Sequence, residues 1–198
     1  MMPTDPKTMQ ILDAALPVFV RYGIRKTTMA DIARAAGISR ASLYLSFSSK
    51  EDVFRAGSAR AHRQTMVEVE VALKGQGSVF DRIEAAVTTF QRGLIVPLGA
   101  SADARELFEI NMALAADITL ETRQRFLDLL SLALREAADK GDINLDTVDT
   151  EPADLAGIIL AAMSGIKEMR GAEPDLGDNT RLFMRLLRAA VTPHTIAG

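Results

Sequence analysis

Apolar positions recur at three- and four-residue spacing along nearly the whole of this 198-residue chain, the period of helices with one buried face; strand-like strict alternation is not seen. Asp5 as cap with Pro6 in the first helical position predicts a first helix running to Tyr22. Pro17 lies inside it and removes a helical hydrogen bond, so a kink is expected there. Thr27 or Thr28 caps the next helix, in which Met29, Ile32, Ala33 and Ala36 share a face. Gly37 ends it by permitting a left-handed backbone, and Ile38 plugs the corner. Ser39 then caps a helix anchored by Leu43 and Phe47, four residues apart. The small Ala35 and Ala36 allow close approach of the two axes, as a helix-turn-helix requires. Arg40, Ala41, Ser42, Tyr44 and Leu45 are left facing outward.

From Lys50 onward the pattern predicts amphipathic helices over about 50–74, 78–97, 102–116, 119–140, 151–170 and 178–191. Gly75 with Gly77, Gly99, Gly141, and Gly171 with Pro174 punctuate them. The expected fold is all-α, a three-helix N-terminal domain over 1–55 joined to a helical domain over 56–198. In the last two helices Leu155, Ile159, Ala162, Met163 and Ile166 form one stripe, and Leu182, Phe183, Leu186, Leu187 and Ala190 another. Gly157, Ala161 and Gly165, four apart, allow close helix packing. Paired across a two-fold axis, these helices would make a four-helix dimer interface; the other reading is that they close the monomer's own core.

Composition narrows the class. At 48% hydrophobic and 25% charged, the chain can bury a sizeable core. It has no cysteine, hence no disulfide framework, thiolate nucleophile or sulfur metal site, which suits a cytoplasmic location. Met1 to Lys7 does not read as a signal peptide. The longest apolar run, Leu155 to Ile166, falls short of the roughly 20 residues a membrane helix needs, so no membrane partner is expected. The net charge of −3 conceals a division: residues 1–60 carry nine Lys plus Arg against five Asp plus Glu, while the remainder carries 14 against 21. The basic charge coincides with the helix-turn-helix, where cations near phosphates gain by counterion release. Arg21, Arg25, Lys26 and Arg34 read equally as phosphate-facing or as solvated charges. No Lys or Arg precedes Pro6, so no basic arm for the minor groove is expected.

The segment ILDAALPVFVRYGIRKTTMADIARAAGISRASLYLSFSSKEDVF resembles the N-terminal domain of the TetR family of transcriptional regulators, over roughly residues 7–55. The resemblance rests on Ala14, Phe19 and Gly23, then Thr28, Ile32-Ala33, Ala36-Gly37, Leu43-Tyr44, Phe47 and Lys50. It implies an all-helical homodimer whose heads bind double-stranded operator DNA, repressing transcription until a small-molecule effector in the C-terminal domain moves them apart. Thr28 and Lys50, at helix starts, are expected on phosphates, as is the Tyr44 hydroxyl. Arg40 is the expected base reader, since a guanidinium can bond both acceptors of a guanine edge. Ser39, Ala41, Ser42 and Leu45 complete the DNA set, with Leu45 suited to a thymine methyl. Leu45-Ser46 departs from the polar, basic or aromatic residues frequent there in the family.

An effector pocket is expected from Phe90, Leu94, Phe108, Asn111, Met112, Phe126, Leu130 and Met163, though aromatic and Met residues at helical spacing commonly serve as plain core. Asn111, a carboxamide in an apolar run, needs a partner if buried. The alternative to a ligand-released repressor is a ligand-independent DNA-binding adaptor that recruits a protein. An enzyme is not expected. The histidines are His62 and His194, no phosphate-binding glycine loop or metal-ligand spacing occurs, and Glu106 with Glu109, or Glu68 with Glu70, read as solvent-face charges. No cofactor or metal is implied.

Overall fold

A computed structural model describes residues 5–95, 104–168 and 176–192, excepting the side chains of 95, 104–108, 166–168 and 176–177. Every regular element among them is helical: α1 Pro6–Lys26, α2 Met29–Ala35, α3 Arg40–Tyr44, α4 Lys50–Leu73, α5 Val79–Phe90 with a π-helical turn Gln91–Ile95, α6 Ala104–Asp139, a 3-10 turn Asp146–Val148, α7 Pro152–Glu168 and α8 Leu176–Val191.

Local chemistry accounts for most boundaries. Asp5 caps α1 by accepting the N–H groups of Lys7 and Thr8. Thr28 and Asp31 form a reciprocal capping box on α2, and Ser78 and Asp81 form another on α5. At Gly37, φ is 65°. The N–H of Gly37 then reaches the Arg34 carbonyl and that of Ile38 the Ala33 carbonyl, a Schellman closure that satisfies the last carbonyls of α2.

Two helix breaks refine the expected boundaries. In α1 the backbone keeps helical φ and ψ through Pro17 and breaks at Gly23, directly after the expected end at Tyr22, with φ 73° and ψ 157°, a conformation open to glycine and costly for other residues. The helices expected at 102–116 and 119–140 lie in one span, Ala104–Asp139, kinked at Ala115 (φ −142°, ψ 28°), one residue before the expected end of the first. No Gly or Pro occurs near that point, so the helical pattern resumes after a single residue.

The chain packs as two compact units, residues 1–64 with 92–121 and residues 65–91 with 122–198. The core of the first is built on Ile11, Phe19, Ile32, Leu43, Val53 and Phe54, with Phe19 and Phe54 meeting edge to face at 5.7 Å; Ile110 and Leu114 of α6 pack against it. Around the break in α6, Arg55 donates to the Leu114 carbonyl at 2.7 Å and to both carboxylate oxygens of Asp117. Thr119 donates to the Ala115 carbonyl at 3.0 Å. The second unit's core includes Met66, Phe80, Ile83, Phe126, Leu130, Leu134, Ile159 and Met184.

Candidate nucleic-acid interface

The helix-turn-helix is held from behind by apolar contacts and from the sides by two long polar reaches. Leu43, fully buried, is the buried residue of α3. Ile38 and Phe47 are partly buried against the same core. Gln10 of α1 donates to the Ala36 carbonyl at the turn, 2.7 Å away. Lys50, at the start of α4, donates from Nζ to the carbonyls of Arg25 and Thr27, each at 3.0 Å.

What remains on the solvent side of α3 matches the outward set read from the sequence. Arg40, Ala41, Tyr44 and Leu45 are exposed and Ser42 is half-buried. Leu45 is 85% exposed. Ser39 is exposed and uses its hydroxyl to cap α3, accepting the Ser42 N–H at 3.1 Å. The Thr28 hydroxyl donates to Asp31 at 2.6 Å and accepts the Asp31 N–H at 3.2 Å. That bond, from the Thr28 hydroxyl, is the main reason the Asp31 carboxyl lies below its ordinary range. Arg34 pairs with Asp31 at 3.2 Å, and the Arg21 guanidinium lies 5.2 Å from the centre of the Tyr22 ring. The partners of Lys50, Gln10 and Arg55 were missed in the sequence; each lies 23 or more residues from its partner, and no local pattern marks such a pair.

The residues expected to line an effector pocket are divided between the two units. Phe126, Leu130 and Met163 are in the core of the second unit, where Phe90 stacks on Phe126 with ring centres 4.7 Å apart. Leu94, Asn111 and Met112 belong to the first unit, and the Phe108 side chain lies outside the described residues. Asn111 is buried, and its carboxamide is satisfied within the first unit: it accepts from Ser58 at 3.0 Å and donates to Thr119 at 3.0 Å. A cleft of about 400 Å³ opens in the second unit beside Ser78, Arg82, Asp142, Arg188 and Thr192, and none of the expected pocket residues lines it.

Of the expected interface stripe, Leu155, Ile159 and Met163 are buried in the second unit's own core, and Ala162 is half-buried. The Ile166 side chain lies outside the described residues. Phe183 and Leu187 of α8 are partly buried against that core, whereas Leu182, Leu186 and Ala190 are exposed. The outward side of α7 instead carries Ile158, Ala161 and Gly165, and a Cβ at Gly157 or Gly165 would meet nothing within 4 Å. Among the described residues no helix is long and apolar enough to cross a membrane, and no group of three or more His, Asp or Glu is placed to hold a metal.

A capped bihelical unit with an apolar back, an outward face led by arginine, and a cationic excess concentrated in the first 60 residues defines a helix-turn-helix DNA-binding protein. Residues 11–56 match the model of bacterial regulatory proteins of the tetR family. The transcriptional regulator SrpR of Pseudomonas putida is 30% identical over 146 residues, which are 69% of this chain and 64% of that protein. The fatty acid metabolism regulator protein of Bacillus subtilis is 27% identical over 139 residues, 70% of this chain and 71% of its own. Among solved structures, SmeT, the repressor of the Stenotrophomonas maltophilia multidrug efflux pump SmeDEF, superposes with a TM-score of 0.70 at 24% identity, covering 96% of this chain and 93% of that one. Its complex with triclosan gives 0.68 at 25% identity, over 98% and 95%. The chain belongs to the TetR family of DNA-binding transcriptional regulators.

Proposed function

We propose that the protein is a homodimeric repressor that leaves its operator when a small apolar or amphipathic molecule binds the helical body. The observation that carries the DNA half of this reading is the exposed Arg40, Ala41, Tyr44 and Leu45 face of α3 over the buried Leu43. Arg40 reads a guanine edge, Leu45 packs on a thymine methyl, and Thr28, Ser39, Ser42 and Tyr44 set the register on the phosphates. The DNA-binding part is residues 1–55, and the remainder, through its exposed and small-residue faces on α7 and α8, carries dimerisation.

Two heads are needed because half-sites on one face of the duplex lie about 34 Å apart, so a change in head spacing is enough to lose both contacts. The exposed Ile158, Leu182 and Leu186, together with the open positions at Gly157 and Gly165, support a self-complementary interface. SmeT, a repressor solved with triclosan, supports effector release by a compound of apolar character.

The test is footprinting of the purified protein on DNA flanking its own gene, titrated with salt and then with apolar and amphipathic compounds. Two-fold-symmetric protection, weakened steeply by salt and abolished by a compound, is expected. Specific protection insensitive to every compound would overturn effector release in favour of a protein-recruiting adaptor. Protection of a single half-site by a monomer would overturn the dimer.

A further inference from the structure

We infer that the bend in α6 is imposed on it by α4: Arg55, and Ser58 acting through Asn111, hold α6 bent at Ala115, and without them α6 runs straight. Sharp bends in helices arise at proline, at Gly/Ser pairs, at π-helical turns, or where a side chain enters the backbone ladder. Ala104–Asp139 contains no Gly or Pro and is α-helical on both sides of Ala115. The stretch around the bend, Met112-Ala113-Leu114-Ala115-Ala116, consists of strong helix formers. Left to itself it favours an unbroken helix, so the cause lies outside α6. What enters the ladder is the Arg55 guanidinium. In an unbroken helix the Leu114 carbonyl accepts the Ile118 N–H. Here the Leu114 carbonyl accepts from Arg55 at 2.7 Å, and the Asp117 carboxylate accepts the Ile118 N–H. Arg55 also donates to both oxygens of Asp117, so this ion pair supplies a donor and an acceptor to the two backbone groups flanking the bend.

A second connection from α4 runs through the interior. Ser58 donates to Asn111 Oδ1, the Asn111 carboxamide donates to Thr119 Oγ1, and Thr119 donates to the Ala115 carbonyl, each at 3.0 Å. A threonine hydroxyl has one proton; because its oxygen receives the Asn111 N–H, that proton is directed at the Ala115 carbonyl. Hydroxyl bonding to the carbonyl four residues back is itself a cause of helix bending. Asn111 is buried, and a buried carboxamide is costly unless it is hydrogen-bonded, so the relay depends on α4 presenting Ser58. Ile110 and Leu114, before the bend, pack against the core that seats Leu43 of α3. The bend therefore sets one wall of the core on which α3 rests, a consequence for operator binding that depends on the DNA-binding reading of the head.

The experiment follows the Cα and Cβ chemical shifts of Ala115, which separate helical from non-helical backbone, in the full chain without DNA. The variants are Arg55→Met, Asn111→Leu and the two together, with Thr119→Val replacing Asn111→Leu should that one fold poorly. Ala115 is expected at non-helical shifts in the unaltered protein, moving towards helical values in each single variant and reaching them in the double variant. Non-helical shifts in the double variant would overturn the imposed bend, as would helical shifts in the unaltered protein. Operator affinity is then measured over a salt series. Arg55→Met should weaken binding by the same factor at every salt, because the guanidinium is spent on α6. A slope of log affinity against log salt reduced by about 0.9, with Ala115 unmoved, would overturn the bend and make Arg55 a phosphate contact. If the unaltered protein bound no operator, the DNA reading would fall instead, and the Ala115 shifts would still decide the bend.

Discussion

Two leucines in the recognition segment, two residues apart, should separate folding from reading. Leu43 is fully buried and is the buried residue of a five-residue helix, whereas Leu45 is 85% exposed. A helix of that length has no stability of its own, since nucleation alone outweighs its few hydrogen bonds; α3 exists because Leu43 is seated in the first unit's core. Truncating a fully buried leucine removes its transfer free energy and leaves a cavity, so Leu43→Ala should cost about 3–4 kcal/mol. At roughly 1.4 kcal/mol per tenfold change in population, that raises the unfolded fraction of the head by more than two orders of magnitude. Leu45→Ala removes almost no contact within the protein and should change stability by less than about 0.5 kcal/mol. Full burial of a leucine is worth about 1.5–3 kcal/mol, and a thymine methyl covers only part of it, so operator affinity should fall about fivefold. The assay is built in: the chain has no tryptophan and two tyrosines, Tyr22 and Tyr44, both in the helix-turn-helix domain, so tyrosine fluorescence during denaturant unfolding reports the head. The reasoning fails if Leu43→Ala unfolds like the unaltered protein, or if Leu45→Ala loses DNA binding only in proportion to lost stability.

Arg40→Ala should lose about 1–3 kcal/mol of discrimination at one base pair while leaving the fold intact; an equal loss for every sequence would make Arg40 a phosphate contact. Asp117 is held at about 2, below the ordinary 3.8, chiefly by the Arg55 guanidinium. Because the folded value is the lower one, the stabilisation is present above the ordinary range and is lost as pH falls from about 4 towards 2. NMR titration should show Asp117 moving up towards 3.8 in Arg55→Ala, and no movement would remove the guanidinium as the cause. Leu186→Glu places a charge on the exposed face of α8 and should convert a dimer to a folded monomer in sedimentation; an unchanged mass would exclude that face from the interface.

The features legible in the sequence are those whose partners lie within a turn or two along the chain. Thr28 and Ser39 as caps, Gly37 as the left-handed turn and Leu43 as the anchor depend on backbone groups one to five residues away, so residue type and spacing determine them. The outward Arg40, Tyr44 and Leu45 follow from the same period, because a short helix with one anchored side leaves the other to solvent. The end of the regular first helix at Tyr22 was legible too, and the break follows at Gly23, where the junction into α2 needs a positive φ; Pro17 stands out in the sequence as the disruptive residue, yet losing one helical hydrogen bond is tolerable and its φ and ψ stay helical. Tertiary structure alone decided the rest. Helix α7 is apolar on both sides, with Leu155, Ile159 and Met163 on one and Gly157, Ile158 and Ala161 on the other, so periodicity cannot choose the inward face; the second unit's core chose the first. Lys50, Gln10 and Arg55 read locally as solvent-facing polar residues. Their partners, 23 to 62 residues distant, are brought within hydrogen-bonding reach only by the folded path of the backbone.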